Sequence, residues 1–310
     1  MKLRPFVFFA FIFLLGGLAN CFAQMPHGGM IRVANIYISP DSSSAKLGEV
    51  ERGHEVVILE TSGEWLHVEA LLSPVKAITG WIPNKGVIQA STPDGDKVMF
   101  GEAVESENEA SKPHGRRGAA QDAMRLYYRV YDLFPNSTIA GEALYRSADI
   151  RWQLDQEDVM TLPSAKERDA YMRPGINEDL MKKVMKKFPG TKWADLAAFH
   201  LIENKLCGTW QGSSKCPEKE ADMYEKYVTE HPQSPADAEA LYDAAWRRSA
   251  LIEIYKTENN AKKSEESRAK AIDLAQKVVS QYPQGDWASR AQLLIYMIQQ
   301  QMPTYGDQTD

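Results

Sequence analysis

The sequence predicts a multidomain chain in which a small β-barrel precedes an all-α array of helical hairpins. Three observations predict it. Short alternating strands run from about Ile31 to Ala90, an apolar helical face recurs around four ring–proline pairs further on, and an acidic, turn-rich stretch separates the two.

The chain opens on Lys2 and Arg4, passes through an unbroken apolar run from Phe6 to Leu15, and reaches small or neutral residues up to Ala23. This is the order of a secretory signal, and the run is shorter than the roughly 20 apolar residues that a spanning helix needs. Residues 1–23 are therefore expected to be a signal peptide, and the mature chain periplasmic or secreted. Cys21-Phe22-Ala23 before Gln24 fits ordinary cleavage after Ala23, whereas Leu18-Ala19-Asn20-Cys21 resembles a lipoprotein box with Asn20 where Gly or Ala is usual. Membrane association, as an outer-membrane lipoprotein, is expected only if Cys21 is lipidated.

Cleavage after Ala23 leaves 287 residues and, with Lys2 and Arg4 gone, moves the formal charge from −6 to −8. An acidic chain whose basic pairs are as short as Arg116-Arg117 and Arg247-Arg248 argues against a nucleic-acid partner, which needs clustered cations. Ordinary cleavage also removes Cys21 and leaves Cys207 and Cys216 around a Gly/Ser-rich loop. In an oxidising compartment such a pair reads first as a disulfide. Zinc is the lesser alternative, because it needs four ligands and no His or second Cys pair accompanies these two.

In the barrel segment, 31–90, Arg32–Ile38, Glu55–Glu60, Trp65–Glu69 and Gly80–Ile82 read as strands, with turns at Ser39–Ser44 and Ser62–Glu64. Short strands at this spacing suggest a small barrel. Asn35-Ile36-Tyr37-Ile38-Ser39-Pro40, Leu47-Gly48, Gly53 before Val56–Leu59, Gly63-Glu64-Trp65-Leu66-His67-Val68 and Gly80-Trp81-Ile82 together resemble the bacterial SH3 domains of cell-envelope proteins. The resemblance implies a small SH3-like β-barrel and binding of peptidoglycan peptides or another envelope partner. Tyr37 stands where that family has Arg, Ser39 where it has Gly, and 71–77 makes a longer hairpin than is usual there.

Residues 91–115 hold Asp94, Asp96, Glu102, Glu105, Glu107 and Glu109 against Lys97 and Lys112, with Pro93 and Gly95 nearby. This composition predicts a solvated acidic linker with at most one helical turn, around 102–109.

From 116 to 301 the landmarks are Phe134-Pro135, Phe188-Pro189, His231-Pro232 and Tyr282-Pro283. An alanine stands eight residues after each proline (Ala143, Ala197, Ala240, Ala291). Apolar residues stand five before it (Val130, Val184, Tyr227, Val278) and four before it (Tyr131, Met185, Val228, Val279). Those spacings describe one face of a helix. Each proline ends a first helix by driving the preceding residue out of the α region. Thr191, Ser234-Pro235 and Asp286 are candidate starts of second helices. The prolines lie 54, 43 and 51 residues apart, further than the 34 of a standard tetratricopeptide unit. The pattern resembles the degenerate tetratricopeptide (TPR-like) proteins of Gram-negative envelopes, of the barrel-assembly lipoprotein and Tol–Pal-associated kinds. Residues 302–310 read as a polar tail.

No Gly-x-Ser-x-Gly elbow, His-Glu-x-x-His helix or nucleotide-binding glycine loop occurs in the sequence. Neither catalytic residues nor cofactors are expected, and a peptidoglycan hydrolase or its accessory is the disfavoured reading. His54, His67, His114 and His200 are isolated in sequence, and His231 holds a packing position before a repeat proline. No metal site is expected; Met25, His27 and Met30 offer weak copper ligands, but a loose tail is the better reading of that segment. Trp65 and Trp81 match the core-edge tryptophans of the bacterial SH3 family and read first as packing, with a peptide-binding surface groove as the alternative. Tyr128, Tyr145 and Tyr242 read first as hairpin core, with a concave repeat face as the alternative. These five and Tyr37 are the candidate binding residues, aromatics being the side chains that anchor extended partners. The expected function is a non-enzymatic envelope adaptor. Its helices would bind envelope proteins, and its barrel would bind peptidoglycan or a second protein. The alternative is a lipoprotein of outer-membrane assembly or of the Tol–Pal division machinery.

Overall fold

The computed structural model describes residues 25–73, 75–167 and 169–305. The expected signal peptide, Cys21 and the final residues 306–310 lie outside the described residues.

Among the described residues seven strands form one antiparallel sheet: β1 (His27–Met30), β2 (Ala34–Tyr37), β3 (Lys46–Val50), β4 (Glu55–Ser62), β5 (Trp65–Ser73), β6 (Lys76–Pro83) and β7 (Val87–Gln89). Their order is β3-β2-β6-β5-β4-β1-β7. The sheet curls about a single core to which every strand contributes, with Met30, Ile36, Val50, Val56, Val68 and Ile82 at its centre. Period-two alternation explains the burial: Leu66, Val68 and Ala70 point inward, so Trp65, His67 and Glu69 face outward. The SH3-like barrel is thus present, and its long β5–β6 hairpin pairs out to Ser73 and Lys76.

Two expectations at the edges of the barrel need correction. The segment before Ile31, expected to be a loose tail, is strand β1, which pairs with both β4 and β7. Met30 is fully buried in the core and His27 Nδ1 lies 2.6 Å from Glu55 Oε1, so the copper reading at Met25, His27 and Met30 fails. Residues 91–115, expected to be a solvated linker, carry the sixteen-residue helix α1 (Gly95–Ala110). Met99 and Ala103 of α1 are fully buried in one cluster with Ile31, Ile88, Leu126 and Tyr127, because they share a helical face that the surrounding charges obscure. The acidic side chains are spent on partners: Glu102 pairs with Arg52 of the barrel, and Glu107 accepts from Tyr127 Oη at 2.5 Å and Arg146 Nη1 at 2.9 Å.

Glycines mark where barrel and helices meet. A Cβ at Gly29 would fall 2.8 Å from Met99 Cε, and one at Gly53, whose φ is +74°, would fall 2.3 Å from Arg125 Cβ. The bare backbone at Gly53 lets Arg125 Nε donate to the Arg52 carbonyl at 3.0 Å.

Eight further helices follow among the described residues: α2 (Ala119–Leu133), α3 (Ala140–Met160), α4 (Asp179–Lys187), α5 (Lys192–Glu203), α6 (Lys215–Glu230), α7 (Asp237–Thr257), α8 (Ala261–Gln281) and α9 (Asp286–Gln299). They pack pairwise as α2/α3, α4/α5, α6/α7 and α8/α9. The four ring residues Phe134, Phe188, His231 and Tyr282 are all C-caps, with φ between −126° and −129° and ψ between 49° and 58°. Each donates its N–H to the carbonyl four residues earlier. The proline that follows each ring dictates this conformation. Ala143, Ala197, Ala240 and Ala291 are all fully buried, where a small side chain lets paired helices approach. Of the expected helix starts, Thr191 caps as predicted, its Oγ1 accepting from Ala194 N. Ser234 instead lies ahead of the Ala236 N-cap and bonds Tyr227 Oη at 2.5 Å, and Asp286 is the first helical residue rather than a cap. No helix among the described residues is long and apolar enough to cross a membrane.

Candidate binding surface

The outward face of β2, β6 and β5 gathers the three aromatic residues expected in the barrel. Tyr37 lies opposite Trp81 in the β2–β6 pairing, and His67 lies opposite Trp81 in the β5–β6 pairing. The Tyr37 and Trp65 rings meet edge to face at 5.7 Å, and the His67 ring stacks on Trp81 at 4.8 Å with 21° between planes. Asn35 Nδ2 donates to Tyr37 Oη at 3.3 Å. All five side chains are half-buried, so their flanks are supported while part of each remains open.

The surface follows from strand periodicity. Ile36, Leu66 and Ile82 fill the core, which turns their sequence neighbours Asn35, Tyr37, Trp65, His67 and Trp81 outward. The tryptophans therefore sit on the outside of the barrel rather than at its core edge. Sequence reasoning missed His67 and Asn35; the signal was their two-residue spacing from Trp65 and Tyr37. A supported aromatic face of this kind stacks on planar or apolar groups of a peptide or sugar and excludes water from them.

The helical candidates are placed differently. Tyr128 lines a cleft of about 640 Å³ between the barrel (Gly53, His54, Leu71) and the helices (Arg125, Leu180). Its Oη accepts from Lys183 Nζ at 2.6 Å. Burial, with Arg125 beside it, lowers the pKa of His54 in this cleft. The cations here are already engaged: Arg129 lies 2.9 Å from Glu55 and 2.5 Å from Asp132, and Arg125 lies 2.5 Å from Asp122. Tyr145 and Tyr242 are consumed in hairpin stacking. Tyr145 lies on Trp193 at 5.5 Å and Tyr242 on Trp287 at 5.2 Å. Burial raises the hydroxyl pKa of both.

Cys207 and Cys216 form a disulfide with their Cα atoms 6.1 Å apart, and the zinc alternative falls with it. The buried Glu220 docks this loop, its Oε1 accepting from Cys207 N at 2.8 Å and Trp210 Nε1 at 3.2 Å while Oε2 accepts from Arg247 Nε at 2.8 Å. Arg247 and Arg248 are both buried, the second between Glu225 and Asp222, so this basic pair presents no phosphate-binding charge. Among the described residues, His27, Glu55 and Asp132 are close enough to hold a metal ion, but the Arg129 guanidinium bridges the two carboxylates and neutralises them.

Fold and surface define a two-part protein, an SH3-like barrel locked to an all-α array. Within it, residues 32–88 match the family described as bacterial SH3 domain. A search of curated proteins finds no match. Among solved structures the chain is similar to one titled "DHF58 filament", at 13% identity and a TM-score of 0.23, covering 66% of this chain and 91% of that one. A likeness at that score carries no argument about fold or function.

Proposed function

We propose that this protein is a non-enzymatic adaptor of the bacterial cell envelope, whose barrel engages peptidoglycan or a second protein through Tyr37, Trp65, His67 and Trp81. The observation that carries the proposal is the half-buried, outward-facing aromatic surface on the side of the sheet away from the barrel core, in a domain whose family often binds cell wall. The signal-like N-terminus, the Cys207–Cys216 disulfide and the repeat pattern resembling envelope tetratricopeptide proteins support an exported location and a protein-binding role for the helices. Barrel and helices share the α1 cluster, so two ligands would be held at a fixed separation rather than on a loose tether. Crosslinking the mature protein in intact cells tests the reading. It predicts capture of wall fragments or of a reproducible envelope protein, and capture of neither contradicts it.

The Leu18-Ala19-Asn20-Cys21 box favours a second reading, a lipoprotein of outer-membrane assembly or of the Tol–Pal machinery. Mass spectrometry of the mature N-terminus separates the two: diacylated Cys21 supports the lipoprotein, and free or cyclised Gln24 removes it.

A further inference from the structure

Barrel and helices together enclose a cleft that neither forms alone. Gly53, His54 and Leu71 line it from the barrel, and α2, α3 and the start of α4 line it from the array. Its volume of about 640 Å³ falls within the range of small-ligand sites, which favour seams between domains. The walls are fixed. Met99 is fully buried where the two parts meet, and Arg125 and Arg129 reach from α2 to donate through Nε to the Arg52 and Gly53 carbonyls, at 3.0 and 3.4 Å. On the barrel side, His54 Nδ1 and the Leu71 carbonyl lie 3.3 Å apart. The cleft shares no lining residue with the aromatic face of β2, β5 and β6, so it is a second site.

Two kinds of surface meet in it. Met124, Tyr128, Leu180 and Leu71 supply apolar wall, and Arg125, Arg129 and Arg151 supply cations. The ion pairs of the first two arginines orient them without using every donor. A guanidinium has five N–H donors, whereas Arg125 bonds through Nε and Nη2 and Arg129 through Nε and Nη1. Arg151 is the most open of the three, 46% exposed, and is held through Nε by Asp155 one turn along α3. His54 registers the positive field. Burial is the main reason its pKa lies low, and Arg125 lowers it further by more than Glu51 raises it. Beside Leu180, Asp179 adds an exposed carboxylate, an acceptor that suits peptide N–H groups and offers nothing to an acyl chain.

We propose that this cleft binds the end of a peptide carrying a free C-terminal carboxylate and an apolar last side chain. The carboxylate lies against the guanidinium of Arg151, whose planar fork matches it, within the field of Arg125 and Arg129. The apolar side chain lies against Met124, Leu180 and Leu71. This goes beyond the adaptor reading, which rests on the outer face of the barrel, and it gives the rigid junction a purpose: the site exists only while barrel and helices stay locked.

Methyl-resolved NMR of the mature protein, isotope-labelled at Met and Leu, is the test, with N-acetyl-Ala-Leu, its C-terminal amide and inorganic phosphate as probes. The acid should move the Met124, Leu71 and Leu180 methyl signals and leave the exposed Leu293 in place. The amide should bind at least about tenfold more weakly, the loss of one charge-assisted hydrogen bond, and phosphate should also bind more weakly than the acid. Arg151→Gln and Leu71→Ala alter exposed side chains on the two sides of the seam, so the thermal midpoint should hold while each weakens the acid at least about threefold. Cleft methyls that stay unmoved at millimolar acid overturn the proposal, as does an amide or phosphate that binds as well as the acid, or indifference to either substitution. The aromatic face takes no part in this titration, so its result stands apart from that of crosslinking in cells.

Discussion

The imidazole of His67 lies flat against the indole of Trp81, 4.8 Å between centroids, directly across the β5–β6 pair and on the side of the sheet away from the core. The contact holds Trp81 in place without burying it, and Tyr37 and Trp65 extend the same face. Replacing His67 by Ala removes this support while leaving the inward Leu66 and Val68 untouched. Barrel stability should fall by about 0.5–1.5 kcal/mol, the worth of one aromatic pair, and ligand capture by the barrel should fall with it. Urea denaturation followed by tryptophan fluorescence, beside the capture assay, checks both.

Met99 tests whether α1 belongs to the folded body. The side chain is fully buried between barrel and helices, so Met99→Ala should cost about 2–5 kcal/mol. Gly53→Ala should also be destabilising by more than about 1 kcal/mol, because φ is +74° and the new methyl meets Arg125. If 91–115 were a solvated tether, Met99→Ala would leave the denaturation midpoint in place.

Reduction of Cys207–Cys216 should cost about 2–3 kcal/mol by the loop-entropy account of a short closed loop. The loss should begin locally. Trp210 is 7% exposed and hydrogen-bonded to Glu220, so its emission should shift to the red before global unfolding when dithiothreitol is added. The double variant Cys207→Ser, Cys216→Ser should behave like the reduced protein.

His200 gives the helical region a defined pH dependence. Burial opposes its charged form, but Asp149 and Glu203 outweigh burial and raise the pKa from 6.5 to about 9. The folded state thus holds a proton that the unfolded chain releases earlier. The added stability is fully present below pH 6.5 and is lost as pH rises through about 9. The shift corresponds to on the order of 3 kcal/mol. Thermal midpoints measured between those two pH values should fall for the native chain and stay nearly level for His200→Gln.

How far the sequence was legible depended on how local the signal was. The four ring–proline pairs announced four helix ends because proline acts on the residue beside it, and the alanines eight residues later proved fully buried for the same reason of fixed helical phase. The inward and outward alternation at 65–70 was equally readable. β1 was missed because Gly28-Gly29 lacks any strand propensity; those glycines are present because β7 and α1 approach the backbone too closely for a Cβ. α1 was missed because its buried positions Gly95, Met99, Ala103 and Ser106 include a Gly and a Ser, and acidic neighbours surround them. Hairpin core was the first reading of Tyr145 and Tyr242, but their partners Trp193 and Trp287, many residues away, are a tertiary fact that local spacing does not carry.

The central claim is that the outer aromatic face of the barrel is where a ligand docks. A photo-crosslinking residue placed at position 37 in one protein and at the exposed position 98 on α1 in another, irradiated in intact cells, tests it directly. Position 37 should yield a reproducible wall or protein adduct that Trp81→Ala abolishes, and position 98 should yield none. Equal adducts at both positions, or an adduct at 37 indifferent to Trp81→Ala, would contradict it.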